Sequence, residues 1–149
     1  MAAATPKKLD ADSAAAPRSG PLILLGEDEV DDAFLIRRAL TRAGLHNPIE
    51  HVRDGQEAVE YLKRTLEDPA FPRPSLVLLD LKMPLKNGFE VVEWVRAQPA
   101  FKNLPVAILT SSQELSDICR AKALGVTTFL TKSASFVGVA ELIKAVSVA

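Results

Sequence analysis

The sequence predicts an α/β protein built on a five-stranded parallel sheet with helices on both faces. Five short apolar runs alternate with five amphipathic stretches, which is the pattern of repeated strand–helix units. The first and third runs begin with four consecutive apolar residues, as expected for strands that are buried on both faces of a sheet. The predicted strands cover residues 22–26, 49–53, 76–80, 106–110 and 127–131.

The stretches that follow the predicted strands carry apolar residues at helical spacing. Gly44, Pro99 and Gly125 supply the stop signals of the first, third and fourth helices, and the fifth helix is predicted to run to the C-terminus. In chain order, the apolar stripes of the five helices consist of Phe34, Leu35, Ala39 and Leu40; Ala58, Val59, Tyr61 and Leu62; Phe89, Val92 and Val95; Leu115, Ile118, Cys119, Ala123 and Leu124; and Val139, Leu142, Ile143 and Val146.

Length and composition indicate one globular domain. We expect residues 1–20, which are rich in Ala, Pro, Ser and Asp and lack a hydrophobic period, to form a flexible leader, and residues 21–149 to form the domain. Lys and Arg number 18 against 19 Asp and Glu, so no basic excess indicates nucleic acid as a partner. The apolar runs are too short to span a membrane, and a single cysteine excludes an internal disulfide. We therefore expect a cytoplasmic protein.

Polar and charged side chains follow four of the five predicted strands. Glu27 and Asp28 follow the first strand, Asp80 ends the third, Thr110 ends the fourth, and Lys132 follows the fifth. In open parallel sheets, ligands bind outside the carboxyl ends of the strands, near the point where the strand order reverses. We therefore expect these side chains to meet at one edge of the sheet.

These residue types suit the transfer of a phosphoryl group. Crowded carboxylates repel one another unless a cation joins them, and hard oxygen ligands suit Mg²⁺. A carboxylate beside that cation can act as a nucleophile and form an acyl phosphate. A lysine and a hydroxyl group can then stabilise the transferred oxygens. The strand ends thus predict Mg²⁺-dependent phosphoryl chemistry on an aspartate.

Other polar residues near the predicted edge have a simpler interpretation. Glu29, Asp31 and Asp32 precede or begin the first helix, and we interpret them as complements to its dipole. His46 and His51 lie before and within the second predicted strand, so we expect both to lie away from the edge and to play no catalytic part.

Residues 22–146 resemble a response-regulator receiver domain, the fold of the bacterial chemotaxis regulator CheY. The resemblance implies a doubly wound, flavodoxin-like (βα)5 fold with the strand order 2-1-3-4-5. It is carried by the segments Ile-Leu-Leu-Gly-Glu-Asp at 23–28, Leu-Asp-Leu-Lys-Met-Pro at 79–84, Asn-Gly at 87–88, Leu-Pro at 104–105 and Ile-Leu-Thr-Ser at 108–111, and by Gly125, Phe129 and Lys132.

The resemblance also implies a role for each matching residue. Asp80 would be the phosphoacceptor, and Mg²⁺ would be held by Asp80, by Asp28, by the backbone carbonyl of Lys82 and, through water, by Glu27. A sensor histidine kinase would donate the phosphoryl group.

Three further residues belong to the implied mechanism of activation. Thr110 would be the switch hydroxyl that moves onto the phosphoryl group, and Lys132 would pair with that group. Phe129 would be the aromatic side chain that changes rotamer with Thr110, and ordinary core packing is the alternative interpretation of this residue.

The sequence departs from the family pattern at three positions. Ser133 stands where the family usually has a proline after the lysine, often preceded by a cis peptide bond. Phe129 lacks the hydroxyl group of the more common tyrosine. Lys82 places a long cationic side chain two residues after the expected phosphoacceptor, and its effect on hydrolysis of the phosphoryl group stays open.

Further segments are similar to small stand-alone regulators that partner phytochrome-type sensor kinases, namely residues 28–32, 54–58, 85–88 and 109–112. This similarity implies that signalling passes to a downstream protein or a phosphotransfer partner. A homodimer would use the face formed by the fourth helix, fifth strand and fifth helix.

Two other functions are compatible with an aspartate after a strand. One is a degenerate receiver that binds a partner without being phosphorylated, although its acidic residues are complete. The other is an Asp-nucleophile phosphatase of the haloacid-dehalogenase type. Such a phosphatase has a second acid two residues after the nucleophile, where this sequence has Lys82.

Overall fold

The computed structural model describes residues 20–132 and 136–148, with the backbone alone for residues 137, 147 and 148. The predicted leader up to residue 19, and Ser133, lie outside the described residues. The strands are β1 (Ile23–Gly26), β2 (Ile49–Val52), β3 (Leu76–Leu79), β4 (Val106–Thr110) and β5 (Thr128–Thr131). The helices are α1 (Val30–Arg42), α2 (Gly55–Glu67), α3 (Gly88–Ala97), α4 (Leu115–Ala123) and α5 (Val137–Val148), and a short 3-10 helix, Pro99–Phe101, follows α3.

The five strands form one parallel sheet in the order β2-β1-β3-β4-β5. This arrangement confirms the predicted fold class and strand order, and each predicted strand differs from the observed one by at most one residue at either end. All residues of β1, β3 and β4 are buried, whereas β2 and β5 are partly exposed because they lie at the edges. Uniform apolar runs therefore mark the inner strands.

The helices form two layers, each packed on its own apolar cluster. On one face, Leu25 of β1 belongs to a cluster with Ile36 of α1 and Ile143 of α5. On the other face, the neighbouring Leu24 packs in a cluster with residues of α2 and α3, such as Leu62 and Val92. Leu24 and Leu25 enter different clusters because successive side chains of a strand point to opposite faces.

The buried side of α1 differs from the prediction. Phe34 was expected in the core, but it is 59% exposed, and the guanidinium of Arg38 lies 6.0 Å from the centre of its ring. The buried residues of α1 are Ala33, Ile36 and Leu40. Residues 33–36 are all apolar, so spacing alone does not determine which of them face the sheet.

The predicted stripe of α4 is also largely wrong. Leu115 is 72% exposed and Cys119 is exposed, whereas Ala121 is the buried residue of the helix. Ile118 and Leu124 are partly buried. The helix lies beside the edge strand β5, where the sheet offers less surface to cover.

Arg96, near the end of α3, joins the α3–β4 connection to the α4–β5 loop. Its Nε and Nη2 donate to the carbonyl of Gly125 at 3.2 and 2.8 Å, and its Nη1 donates to the carbonyls of Phe101 at 3.2 Å and Leu104 at 2.8 Å. Gly125 follows α4 with a φ of 86°, in the left-handed region that favours glycine. Partial burial lowers the pKa of Arg96 from its ordinary value.

Among the helices that the structure describes, none is both long and apolar enough to cross a membrane.

We expect Arg96→Met to lower the free energy of unfolding by about 1–3 kcal/mol, because carbonyls that now accept from the guanidinium lose their donors. Arg42→Met, at the exposed end of α1, serves as the control and is expected to change it by less than about 0.5 kcal/mol. Urea unfolding followed by circular dichroism measures both. Equal effects of the two substitutions would show that the Arg96 contacts contribute nothing particular to stability.

Candidate functional site

The carboxyl ends of β1 and β3 meet where the strand order reverses. From β1 the chain continues to β2 on one side of the sheet and then to β3 on the other, which creates the crevice in which ligands bind in such folds. Gly26 pairs with Leu79, and the amide of Asp80 donates to the carbonyl of Gly26 at 3.0 Å. Glu27 and Asp80, the residues that follow these strands, consequently lie side by side.

Three carboxylates cluster at this crevice. Oxygen atoms of Glu27, Asp28 and Asp80 lie within 4.8 Å of one another. Glu27 is only 1% exposed, Asp80 is also buried, and Asp28 is exposed. Oxygen donors of this kind fit a hard divalent cation such as Mg²⁺, and the exposed Asp28 leaves one side of the cluster open to solvent. The acidic residues expected to hold a metal are thus brought together.

Lys132 reaches the same cluster from the end of β5. Its Nζ lies 2.9 Å from Oε1 of Glu27, 3.0 Å from Oδ2 of Asp80 and 2.6 Å from Oδ2 of Asp32. The amide of Lys132 donates to the carbonyl of Thr110 at 2.7 Å, which holds the residue against the end of β4. One ammonium therefore contacts three carboxylates.

The shared charge alters the titration of the site. Burial raises the pKa of Glu27, the hydrogen bond from Lys132 opposes this effect and the nearby Asp80 adds to it, so that the pKa is about 7. Burial by itself would lower the pKa of Lys132, but hydrogen bonds to Asp32, Glu27 and Asp80 raise it above the ordinary value. Glu27 consequently retains its proton to nearly neutral pH, whereas the ammonium stays charged.

The loop after Asp80 is fitted closely to the sheet edge. A Cβ atom on Gly88 would lie 2.7 Å from the carbonyl oxygen of Asp80, so only glycine fits there without displacing the backbone. Asn87 caps α3, because its Oδ1 accepts from the Glu90 amide at 2.9 Å while Oε1 of Glu90 accepts from the Asn87 amide at 2.8 Å. The Asn-Gly pair therefore shapes this loop. Leu85, in the middle of the loop, is exposed and has a φ of 69°.

Lys82 presents its backbone to the site and its side chain to solvent. The side chain is exposed, and the amide makes a long contact of 3.3 Å with Oδ1 of Asp80. The expected contribution of its backbone carbonyl to metal binding stays a prediction.

Thr110 and Phe129 lie next to the site on β4 and β5. Thr110 is fully buried, and its hydroxyl oxygen accepts from the amide of Ser112 at 3.3 Å. Phe129 is partly buried and pairs with Ile108 in the register of the two strands. Its side chain lines a groove of about 480 Å³ between α4 and α5, together with Ile118 and Val139. The switch roles of Thr110 and Phe129 stay predictions.

Two residues at the site were not expected there. Nε2 of His51 lies 2.8 Å from the carbonyl oxygen of Glu27, which can only accept, so the ring nitrogen donates. The expectation that His51 lies away from the edge is wrong. Asp32 was interpreted as a dipole complement, yet its carboxylate binds Lys132. Its place in the first turn of α1 was the available signal, because that turn follows the carboxyl end of β1.

Comparison with known proteins identifies the family. The family model described as "Response regulator receiver domain" matches residues 23–147. The response regulator Rcp1 of Synechocystis sp. is 37% identical over 112 residues, which are 75% of this chain and 76% of Rcp1.

Solved structures agree with this result. The phosphorylated cyanobacterial phytochrome response regulator RcpA superposes with a TM-score of 0.73 at 35% identity, covering 86% of this chain and 91% of that one. The Mn²⁺-bound form of Rcp1 superposes with a TM-score of 0.72 at 32% identity, covering 85% and 91%. With its strand order and its acidic crevice, the chain belongs to the response regulator receiver domain family, in which phosphorylation of an aspartate and binding of a divalent metal in an acidic pocket are typical.

Proposed function

We propose that Asp80 accepts a phosphoryl group from a phosphohistidine and that the chain signals through the resulting change of shape. The observation that carries this proposal is the position of the Asp80 carboxylate, which lies between the cluster formed with Glu27 and Asp28 and the ammonium of Lys132. A buried carboxylate flanked by a cation site and an ammonium has the surroundings that phosphoryl transfer requires.

The cation is proposed to be Mg²⁺, held by Asp28 and Asp80, by the carbonyl of Lys82 and, through water, by Glu27. When bound, it would supply positive charge that offsets the repulsion of the carboxylates and stabilises the oxygens of the transferred group. The relative Rcp1 has been crystallised in an Mn²⁺-bound form, which supports the binding of a divalent cation by this chain.

The side chains of the chain itself position and stabilise the reacting group. An oxygen of Asp80 attacks phosphorus, the bond from phosphorus to the histidine nitrogen breaks, and its electron pair stays on that nitrogen. Lys132 donates to an oxygen of the transferred group, and the hydroxyl of Thr110 turns from Ser112 to donate as well. That movement vacates space into which Phe129 rotates, which alters the surface of α4, β5 and α5.

The partners follow from this chemistry and from the relatives. The donor is proposed to be a cytoplasmic sensor histidine kinase of the phytochrome type, because RcpA is a phytochrome response regulator. The altered α4–β5–α5 surface passes the signal to a downstream protein, a phosphotransfer partner or a second copy of the chain.

We expect wild-type protein incubated with Mg²⁺ and acetyl phosphate to gain one phosphoryl group, stable to acid and labile to base as an acyl phosphate is. Asp80→Asn should gain none, because the amide is not a nucleophile of this kind. Intact-mass spectrometry measures the label. Asp68→Asn, an exposed aspartate just beyond α2, serves as the control and should be labelled like wild type.

Label on Asp80→Asn would place the phosphoacceptor elsewhere. An unlabelled wild-type protein, beside a known receiver labelled in parallel, would favour the degenerate receiver. Turnover of phosphomonoesters would favour the phosphatase.

We expect the stability of the metal-free protein to depend on the proton of Glu27. Its pKa is about 7 in the folded chain against 4.5 ordinarily, so the unfolded chain loses this proton first. The free energy of unfolding therefore contains a contribution that is present below pH 4.5 and is lost as pH rises to about 7. Glu27→Gln, whose amide stays neutral like the protonated glutamate, should remove this loss, so its free energy of unfolding should rise by about 1–3 kcal/mol relative to that of wild type between pH 5 and pH 8.

Urea unfolding in EDTA at several pH values measures this difference. Glu141→Gln, an exposed glutamate on α5, is the control and should keep the slope of wild type. If the free energies of unfolding of Glu27→Gln and wild type change with pH in the same way, the raised pKa of Glu27 is contradicted.

A further inference from the structure

The ammonium of Lys132 is surrounded by three carboxylates. An ammonium carries three N–H donors, and three carboxylate oxygens lie within hydrogen-bonding distance of Nζ. The shortest of these contacts, at 2.6 Å, is to Asp32, whereas those to Glu27 and Asp80 are 2.9 and 3.0 Å. The shortest contact of the lysine is thus to Asp32, which lies outside the cluster that is expected to bind metal.

The three partners differ in how they contact solvent. The side chains of Glu27 and Asp80 are 1% and 7% exposed, and Oε2 of Glu27 also accepts from the amide of Glu29 at 3.1 Å. The side chain of Asp32 is 28% exposed, in the first turn of α1. Asp32 is therefore the partner whose contact with the lysine can be replaced by water at the lowest cost in free energy, because its carboxylate is the least buried of the three.

We propose that Asp32 competes with the phosphoryl group for the Lys132 ammonium and so weakens the binding of that anion at the site. This inference rests on the proposed phosphorylation of Asp80. A phosphoryl group on Asp80 needs a donor from Lys132, which it takes either from Asp80 or from Asp32. In both cases, the carboxylate of Asp32 offsets part of the charge of the ammonium and repels the anion, so both effects have the same sign.

A role of Asp32 in placing the lysine would have the opposite effect, because its loss would then weaken anion binding. Other contacts already fix Lys132 at the site. Its amide donates to the carbonyl of Thr110 at 2.7 Å, and its ammonium retains Glu27 and Asp80 as partners. We therefore expect the lysine to stay in place when Asp32 loses its charge.

Beryllofluoride, which mimics a phosphoryl group on an aspartate, tests the inference with the isosteric variant Asp32→Asn. Calorimetric titration in the presence of Mg²⁺ should show beryllofluoride binding about threefold to tenfold tighter than in wild type. Titration with Mg²⁺ alone should show equal or weaker binding, because the variant has one negative charge fewer near the cation. Tighter binding of beryllofluoride without tighter binding of Mg²⁺ is informative, since a loosened site would bind both ligands more weakly.

Asp31→Asn is the matched control, because it removes the same charge from an exposed position in the same helical turn without touching Lys132. It should bind beryllofluoride like wild type. Equal or weaker binding by Asp32→Asn overturns the inference, and so does an equal gain in Asp31→Asn. Failure of wild type to bind beryllofluoride at all would instead reject the proposed function, and the inference with it.

Discussion

The ammonium of Lys132 allows carboxylates to be buried at the carboxyl edge of the sheet. Glu27 and Asp80 are both buried, and an unpaired charge in such a position carries a large desolvation cost. Lys132 donates to both of them and to Asp32, but one positive charge does not balance three negative charges. Burial, together with the remaining negative charge, raises the pKa of Glu27 to about 7. The same negative charge makes the crevice receptive to a divalent cation.

The strand order makes this interaction achievable for a lysine. β5 and β3 are separated by β4, and strands of a sheet are spaced about 4.8 Å apart, so the lysine side chain, its contact with the carboxylate and the aspartate side chain together cover about two strand spacings. Anchored by its amide at the end of β4, Lys132 extends to Asp80 and Glu27. The receiver fold thus converts residues far apart in sequence into one charge network.

Sequence reasoning identified most of this network and missed part of it. The apolar runs located the strands, and the polar residues at their ends located Glu27, Asp28, Asp80 and Lys132. The contact of Asp32 with Lys132 was missed, because an acidic residue in the first turn of a helix already has a sufficient explanation. On α1, Phe34 was assigned to the core because the run of apolar residues left the rotation of the helix undetermined.

The sequence by itself determined the parallel α/β architecture, the family and the identity of the residues at the strand ends, because these depend on local periodicity and on motifs. The tertiary structure alone decided which charges meet, which helix faces are buried and how Glu27 titrates. Those properties depend on distances between segments and on the exclusion of water, and the spacing of residues along the chain determines neither of them. Asp32 shows the difference, since only the fold places its carboxylate 2.6 Å from an ammonium one hundred residues away.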